Sequence, residues 1–299
     1  MRRLVLLALV GLAAQLVDGS LGMGYGVTSA TILVASGITP AAASAAIHFS
    51  EIGTTLVSGI SHHTLGNVDW RTVGVLALPG FVGAFAGATL LVNLDADIAV
   101  PVVATVLVVL GLYVTYRFLS ATRRLRFGPR PGARVLAPIG LVAGSLDAVG
   151  GGGWGPVGTS SLLASGRLEP RKVVGSVDTT EFVVAIGGSL GFLVGLGAQG
   201  IAWGYVAALM LGGVVAAPLA AVLVRVLPAR VLGVAAGGLI VLTNLTTLAE
   251  VAGATGLTVA MIAAVVFTLW VLWIAWAVKL DQDPAPAVRP RMGHTVANT

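Results

Sequence analysis

Two stretches of this chain, about half its length apart, repeat nearly the same pattern, and a duplicated segment broken by glycines leaves few folds open. Gly11–Gly59 carries Gly11-Leu12-Ala13-Ala14, then Asp18, Gly22-Met23-Gly24-Tyr25-Gly26, Leu33-Val34-Ala35-Ser36-Gly37, Pro40 and Glu51. Gly140–Gly188 answers with Gly140-Leu141-Val142-Ala143, then Asp147, Gly151-Gly152-Gly153-Trp154-Gly155, Leu162-Leu163-Ala164-Ser165-Gly166, Pro170 and Glu181. Asp18 falls on Asp147, the aromatic-plus-glycine tip on its counterpart, and Glu51 on Glu181 after one inserted residue. In an apolar chain, matched halves with a glycine break and intramembrane acids are the pattern of a secondary transporter's binding site.

Composition fixes the environment. Hydrophobic residues make up 57% of the chain and charged ones 10%, against about 25% charged in a soluble domain. The chain is therefore expected to be an all-α integral membrane protein. It has no cysteine, which excludes disulfides, thiolate metal sites and cysteine nucleophiles. The net charge of +5 does not imply nucleic acid, because the arginines cluster in short loops, as on the cytoplasmic side of membrane proteins. Met1-Arg2-Arg3 followed by Leu4–Val17 could pass for a signal peptide. The same stretch recurs in mid-chain at Arg134–Val149, so it is expected to be retained.

Long apolar segments at Pro40–Ser61, Trp70–Asn93, Ile98–Leu119, Pro170–Leu196, Ile201–Leu227, Val231–Ala249 and Leu257–Val278 are each near the ~20 residues a spanning helix needs. Leu4–Val17 and Val27–Ser36 are shorter, reaching only ~21 Å and ~15 Å against a ~30 Å hydrocarbon core. Pro138–Leu146 and Pro156–Ser165 repeat that pair. Each pair is expected to form a helix–break–helix hairpin with its glycine tip inside the membrane, where irregular backbone must be buried or line a cavity.

Charge then predicts topology. Arg117, Arg123, Arg124, Arg126, Arg130 and Arg134 place the central linker in the cytoplasm, and counting crossings puts Arg71, Arg167, Arg171, Lys172, Arg225, Arg230 and the tail on the same side. Arg2-Arg3 dissents, since a hairpin returning to its own side leaves the N-terminus outside. Three crossings after the first hairpin invert the second copy. The expected layout is a first repeat over 1–120, a basic cytoplasmic linker over 121–133, a second repeat with one extra helix over 134–280, and a disordered tail over 281–299. That makes about seven spanning helices plus two hairpins, in two inverted-topology repeats.

Ionisable residues inside the membrane are the sharpest functional signal, each costing ~2.5–3.5 kcal/mol at a helix centre. Asp18, Asp147, Glu51, Asp178 and Glu181 all lie in apolar surroundings, with His48 near Glu51. His48 and Glu51 are three residues apart, as are Asp178 and Glu181, so each pair shares a helix face. One reading makes these six a proton or sodium coupling site, proton rather than sodium. The other makes them structural, bonding broken backbone or capping helices, and for Asp18 and Asp147 the two stand level because Asp readily bonds loop amides.

The glycine tips precede short helices expected to start near Val27 and Pro156. A helix N-terminus at that depth presents free amides and a positive dipole end to an anion. Gly22, Gly24, Tyr25, Gly26, Thr28 and Ser29 in one half, and Gly152, Gly153, Trp154, Gly155, Thr159 and Ser160 in the other, are the expected substrate-binding residues. Small-residue helix packing is the competing explanation. No lysine or arginine lies mid-span, so a bound anion would rest on amides, hydroxyls and aromatics. Any acid beside it would need protonation or a cation. Gly22–Gly26 lacks the four-fold identity of a potassium filter, Gly150–Gly155 follows no strand as a dinucleotide loop would, and His62-His63 reads as a loop pair. No hydrolase motif appears, so no enzyme, cofactor or metal is expected.

The Gly-Leu-x-Ala, Asp, Gly-x-Gly-aromatic-Gly, Leu-x-Ala-Ser-Gly and Pro elements of both halves, with Gly80–Gly87 and Gly212–Ala217, resemble the TauE/SafE family of bacterial membrane transporters over nearly all of residues 4–280. The resemblance implies transport of sulfite, sulfonates or related small sulfur-containing anions across the bacterial inner membrane. Lipid contact and a homodimer are expected, nucleic acid is not. A passive cation or proton pathway lined by the acids is the alternative.

Overall fold

The computed structural model describes residues 2–120, 131–159, 161–162, 167–223 and 228–282. Ser160, most of the basic linker and most of the C-terminal tail named above lie outside these residues. The described residues are helical, with no strand. The first half supplies α1 (Arg2–Leu21), α2 (Tyr25–Ala35), α3 (Pro40–Thr64), α4 (Trp70–Val92) and α5 (Ala96–Leu119). The second half supplies α6 (Ala133–Gly150), a π-helical turn (Trp154–Thr159), α7 (Pro170–Leu196), α8 (Trp203–Leu223) and α9 (Ala229–Val251), followed by α10 (Gly256–Gln282).

Local chemistry explains the boundaries. Pro40 and Pro170 open α3 and α7, where a missing N–H costs nothing. The Asp69 carboxylate accepts from the Thr72 amide at 3.0 Å and caps α4. Gly22 and Gly151 stop α1 and α6 with φ of 68° and 66°. That left-handed geometry suits glycine, and the two stops occupy matched positions of the repeat.

The packing treats the halves as equivalents. α4 packs on α6 and α7, α8 packs on α1 and α3, α5 packs on α9, and α3 packs on α7. Exchanging α1 for α6, α3 for α7, α4 for α8 and α5 for α9 returns the same pairings. The small-residue helices α4 and α8 thus lie between the halves. A Cβ on Gly83 would strike the Leu141 carbonyl and one on Gly144 the Gly80 carbonyl, while Gly11 and Gly212 stand equally close to the backbones of α8 and α1. Backbones meet here through dispersion contacts, the main glue between helices in lipid.

Seven described helices are long and apolar enough to cross a membrane, but they are not the seven expected from sequence. α1 and α6 qualify, at 20 and 18 residues, so the first arm of each hairpin is a nearly full-length helix and not a half-span. α3, which carries the polar residues of the site, does not qualify, and neither does α9, whose described apolar stretch Gly237–Val251 is shorter. The second arms start earlier than expected, at Tyr25 and Trp154 in place of Val27 and Pro156. α10 touches mainly α9 and leaves Leu257, Met261, Val265, Leu272 and Trp276 exposed, a surface suited to acyl chains. On the basic side, Lys172 Nζ donates to the Val68 carbonyl at 3.1 Å, which joins the start of α7 to the α3–α4 loop beside Arg71.

Candidate functional site

Each helix break is closed by the aspartate seven residues upstream. The Tyr25 amide donates to Asp18 Oδ1 at 3.4 Å, and the Trp154 amide donates to Asp147 Oδ1 at 3.0 Å. Gly24, at the N-cap of α2, offers no side chain, so the remote carboxyl does the capping and sets the earlier helix start. The backbone-bonding role weighed for Asp18 and Asp147 is therefore real, and it occupies one oxygen of each.

The two tips cross. Gly26 lies against the Gly151 carbonyl, and Gly155 lies against the Gly22 carbonyl, which are the same contact read in both directions of the repeat. Thr159 Oγ1 donates to the Gly22 carbonyl at 2.5 Å. Tyr25 and Trp154 are fully buried beside them. The Tyr25 hydroxyl pairs with Ser50 Oγ at 2.9 Å, and Trp154 Nε1–H donates to the Val177 carbonyl at 3.0 Å. In this conformation the aromatic residues brace the crossing. Ser29 is buried with an unpartnered hydroxyl, while Thr28 is half-buried.

The acids assemble across the repeat. His48 and Glu51 of α3 meet Asp147 of α6, and Asp178 and Glu181 of α7 meet Asp18 of α1. Within each triad one ligand atom per residue lies within 4.8 Å of the others, and all six residues are buried. Each triad thus draws its aspartate from the opposite half. Sequence spacing had paired His48 with Glu51 and Asp178 with Glu181, but it carried no sign of this exchange.

The triads match in position and differ in charge. His48 Nδ1 lies 2.9 Å from the Ser44 carbonyl, which can only accept, so Nδ1 carries a proton. His48 Nε2 stands 3.3 Å from Asp147 Oδ2, and that approach needs a second proton, on the ring or on the carboxyl. The equivalent of His48 in the second triad is Asp178, giving three carboxyls and no imidazole. His62 is also buried, correcting its reading as a loop residue. Its Nε2 lies 3.2 Å from the Gly19 carbonyl and 3.7 Å from Asp178 Oδ2, while its Nδ1 lies 3.2 Å from Asn67 Nδ2.

Several further polar groups here escaped the sequence reading. The Gln15 amide and Ser58 Oγ are buried without partners. Ser44 Oγ donates to the Ala148 carbonyl at 2.7 Å, tying α3 to α6. A signal was present: Ser44, His48, Glu51, Thr55, Ser58 and His62 recur at spacings of four and three, one polar stripe along α3. Gln15 had no comparable signal.

Residues 7–247 match the family described as sulfite exporter TauE/SafE. Among curated proteins, the chain is similar to a probable membrane transporter protein, YtnM, of Bacillus subtilis (strain 168), with 49% identity over 246 residues covering 82% of each chain. No solved structure matches the chain.

Proposed function

The chain belongs to the sulfite exporter TauE/SafE family of membrane transporters, and from that premise we propose that it moves a small sulfur-containing anion, sulfite or an organosulfonate, by coupled alternating access. The observation that carries the reading is the crossing of two helix breaks with a buried acidic triad on each side. The helix starts at Tyr25 and Trp154 lie beside the crossing; their first amides are held by Asp18 and Asp147 in this conformation, so a bound anion would draw on the remaining amides of these breaks. Thr28, Ser29 and Thr159 add hydroxyls when the tips part, and Ser160 extends that row in sequence. Because Gly26 and Gly155 lie against the opposing carbonyls, substrate entry at the crossing would require the tips to separate.

The coupling proton is assigned to His48, Glu51 and Asp147. His48 holds one proton on Nδ1, donated to the Ser44 carbonyl, and its contact with Asp147 supplies the place for a second. Glu51 has both oxygens without hydrogen-bond partners, leaving it free to take up and release a proton as the halves move. The exchange-invariant helix packing favours two inverted repeats, with basic loops and the C-terminus on the cytoplasmic side of the bacterial inner membrane.

Uptake of labelled sulfite, sulfate, taurine and isethionate into proteoliposomes, with and without an inward proton gradient, tests this reading. Saturable flux of one sulfur anion, accelerated by the gradient and uncoupled in Glu51→Gln, is expected. Substrate-independent proton leak removed by Glu51→Gln would establish the passive pathway in its place.

A further inference from the structure

The triads occupy equivalent places, yet only one contains its own cation-forming side chain. His48 Nε2 sits 3.3 Å from Asp147 Oδ2 in the first. In the second that place belongs to the Asp178 carboxyl, both of whose oxygens lack hydrogen-bond partners. Asp18 Oδ2 is also unpartnered, its other oxygen being held by the Tyr25 amide. Asp18 and Asp178 are 1% exposed and Glu181 is 5% exposed, so water does not reach to satisfy these carboxyls.

Two further buried groups lie near this triad. Ser58 Oγ and the Asp18 carboxyl both lie beside the Asp178 carboxyl, but without regular hydrogen-bond geometry. The Gln15 amide, one turn before Asp18, is buried and unpartnered, and it shares the surroundings of Gly19 with Ser58. Buried polar groups are normally satisfied, and a cluster of orphans around three carboxyls calls for a missing partner. His62 does not fill the gap, since its Nε2 is directed to the Gly19 carbonyl and its Nδ1 to the Asn67 amide.

We propose that Asp18, Asp178 and Glu181, with Ser58 beside them, form a binding site for a hard divalent metal cation. The ligand atoms are all oxygens, which suit calcium, magnesium or manganese and give no advantage to soft metals. Oxygens across a calcium-like ion stand about 4.6–5.2 Å apart, and the carboxyl oxygens here lie within 4.8 Å of one another. Charge selects the valence. A protonated His48 leaves the first triad with one net negative charge when both acids are ionised. A divalent ion leaves three carboxylates with the same residue, whereas a monovalent ion leaves two. The metal in one half thus plays the part of the imidazolium in the other. The proposal goes beyond the transport reading and stands without it, because binding is measured with no anion and no gradient.

The test is manganese binding to chelator-stripped, detergent-purified protein in excess sodium chloride, read from loss of the free-ion electron paramagnetic resonance signal. One saturable ion per chain, displaced by calcium, is expected. Asp178→Asn and Glu181→Gln should each weaken binding by about tenfold or more, while Glu169→Gln, on an exposed acid paired with Arg171, should not. Calcium should also raise the melting temperature of the wild type and not of Glu181→Gln. If Asp178→Asn fails to elute as a folded protein, Glu181→Gln and Ser58→Ala decide, since neither changes the volume of the site greatly. No saturable manganese binding, equal binding in the wild type and both folded variants, or loss of binding to sodium alone would overturn the proposal.

Discussion

Replacing His48 by asparagine isolates the contact that joins the two halves at the first triad. The asparagine amide can still donate to the Ser44 carbonyl, which His48 Nδ1 now reaches at 2.9 Å, but it places nothing at Nε2. Asp147 Oδ2 then loses the group 3.3 Å away. At an effective dielectric of 20, unit charges at that distance interact by about 5 kcal/mol. Breaking a buried pair from one side typically costs about 3–5 kcal/mol, so His48→Asn should lose stability in that range. Asp147→Asn removes the facing charge and keeps an oxygen for the Trp154 amide, now at 3.0 Å. The double variant should therefore be more stable than His48→Asn alone. Unfolding in mixed micelles by titration with sodium dodecyl sulfate, followed by tryptophan fluorescence, measures the cycle. Stability losses that simply add, within about 0.5 kcal/mol, would refute a direct coupling between His48 and Asp147.

Asp18→Asn should keep the cap on Tyr25 and Asp18→Ala should lose it, separating the two by about 0.5–2 kcal/mol in the same unfolding assay. Gly26→Ala and Gly155→Ala should each force the tips apart at a cost of about 1–3 kcal/mol or more and lower the melting temperature. Gly74→Ala, a helical position with nothing near its Cβ, should match or exceed the wild type. His62→Ala should cost about 1–3 kcal/mol by leaving the Gly19 carbonyl without its donor, readable as a lower denaturant midpoint; an unchanged midpoint would refute a stabilising role for that contact.

The repeat, the helical membrane class and the identity of the buried acids are legible in the sequence because they depend on local properties. Hydrophobic runs, glycine stops such as Gly22 and Gly151, and opening prolines such as Pro40 and Pro170 act over a few residues. The stripe from Ser44 to His62 was equally visible at helical spacing, though His62 was misread because its neighbour lies near a helix end. Which half completes which triad could not be read this way. Asp147 joins His48 and Glu51 across roughly a hundred residues of chain, and Asp18 joins Asp178 and Glu181 across still more, through packing of helices distant in sequence. The early starts of the short arms have the same origin, since Asp18 and Asp147 cap amides seven residues on only after the break has folded back. Sequence alone determined that two equivalent broken hairpins carrying acids enter the membrane. Tertiary structure alone decided that their tips cross and exchange aspartates, because side-chain proximity between separate helices is set by backbone contacts at glycines such as Gly26, Gly83 and Gly155, to which one-dimensional periodicity is blind.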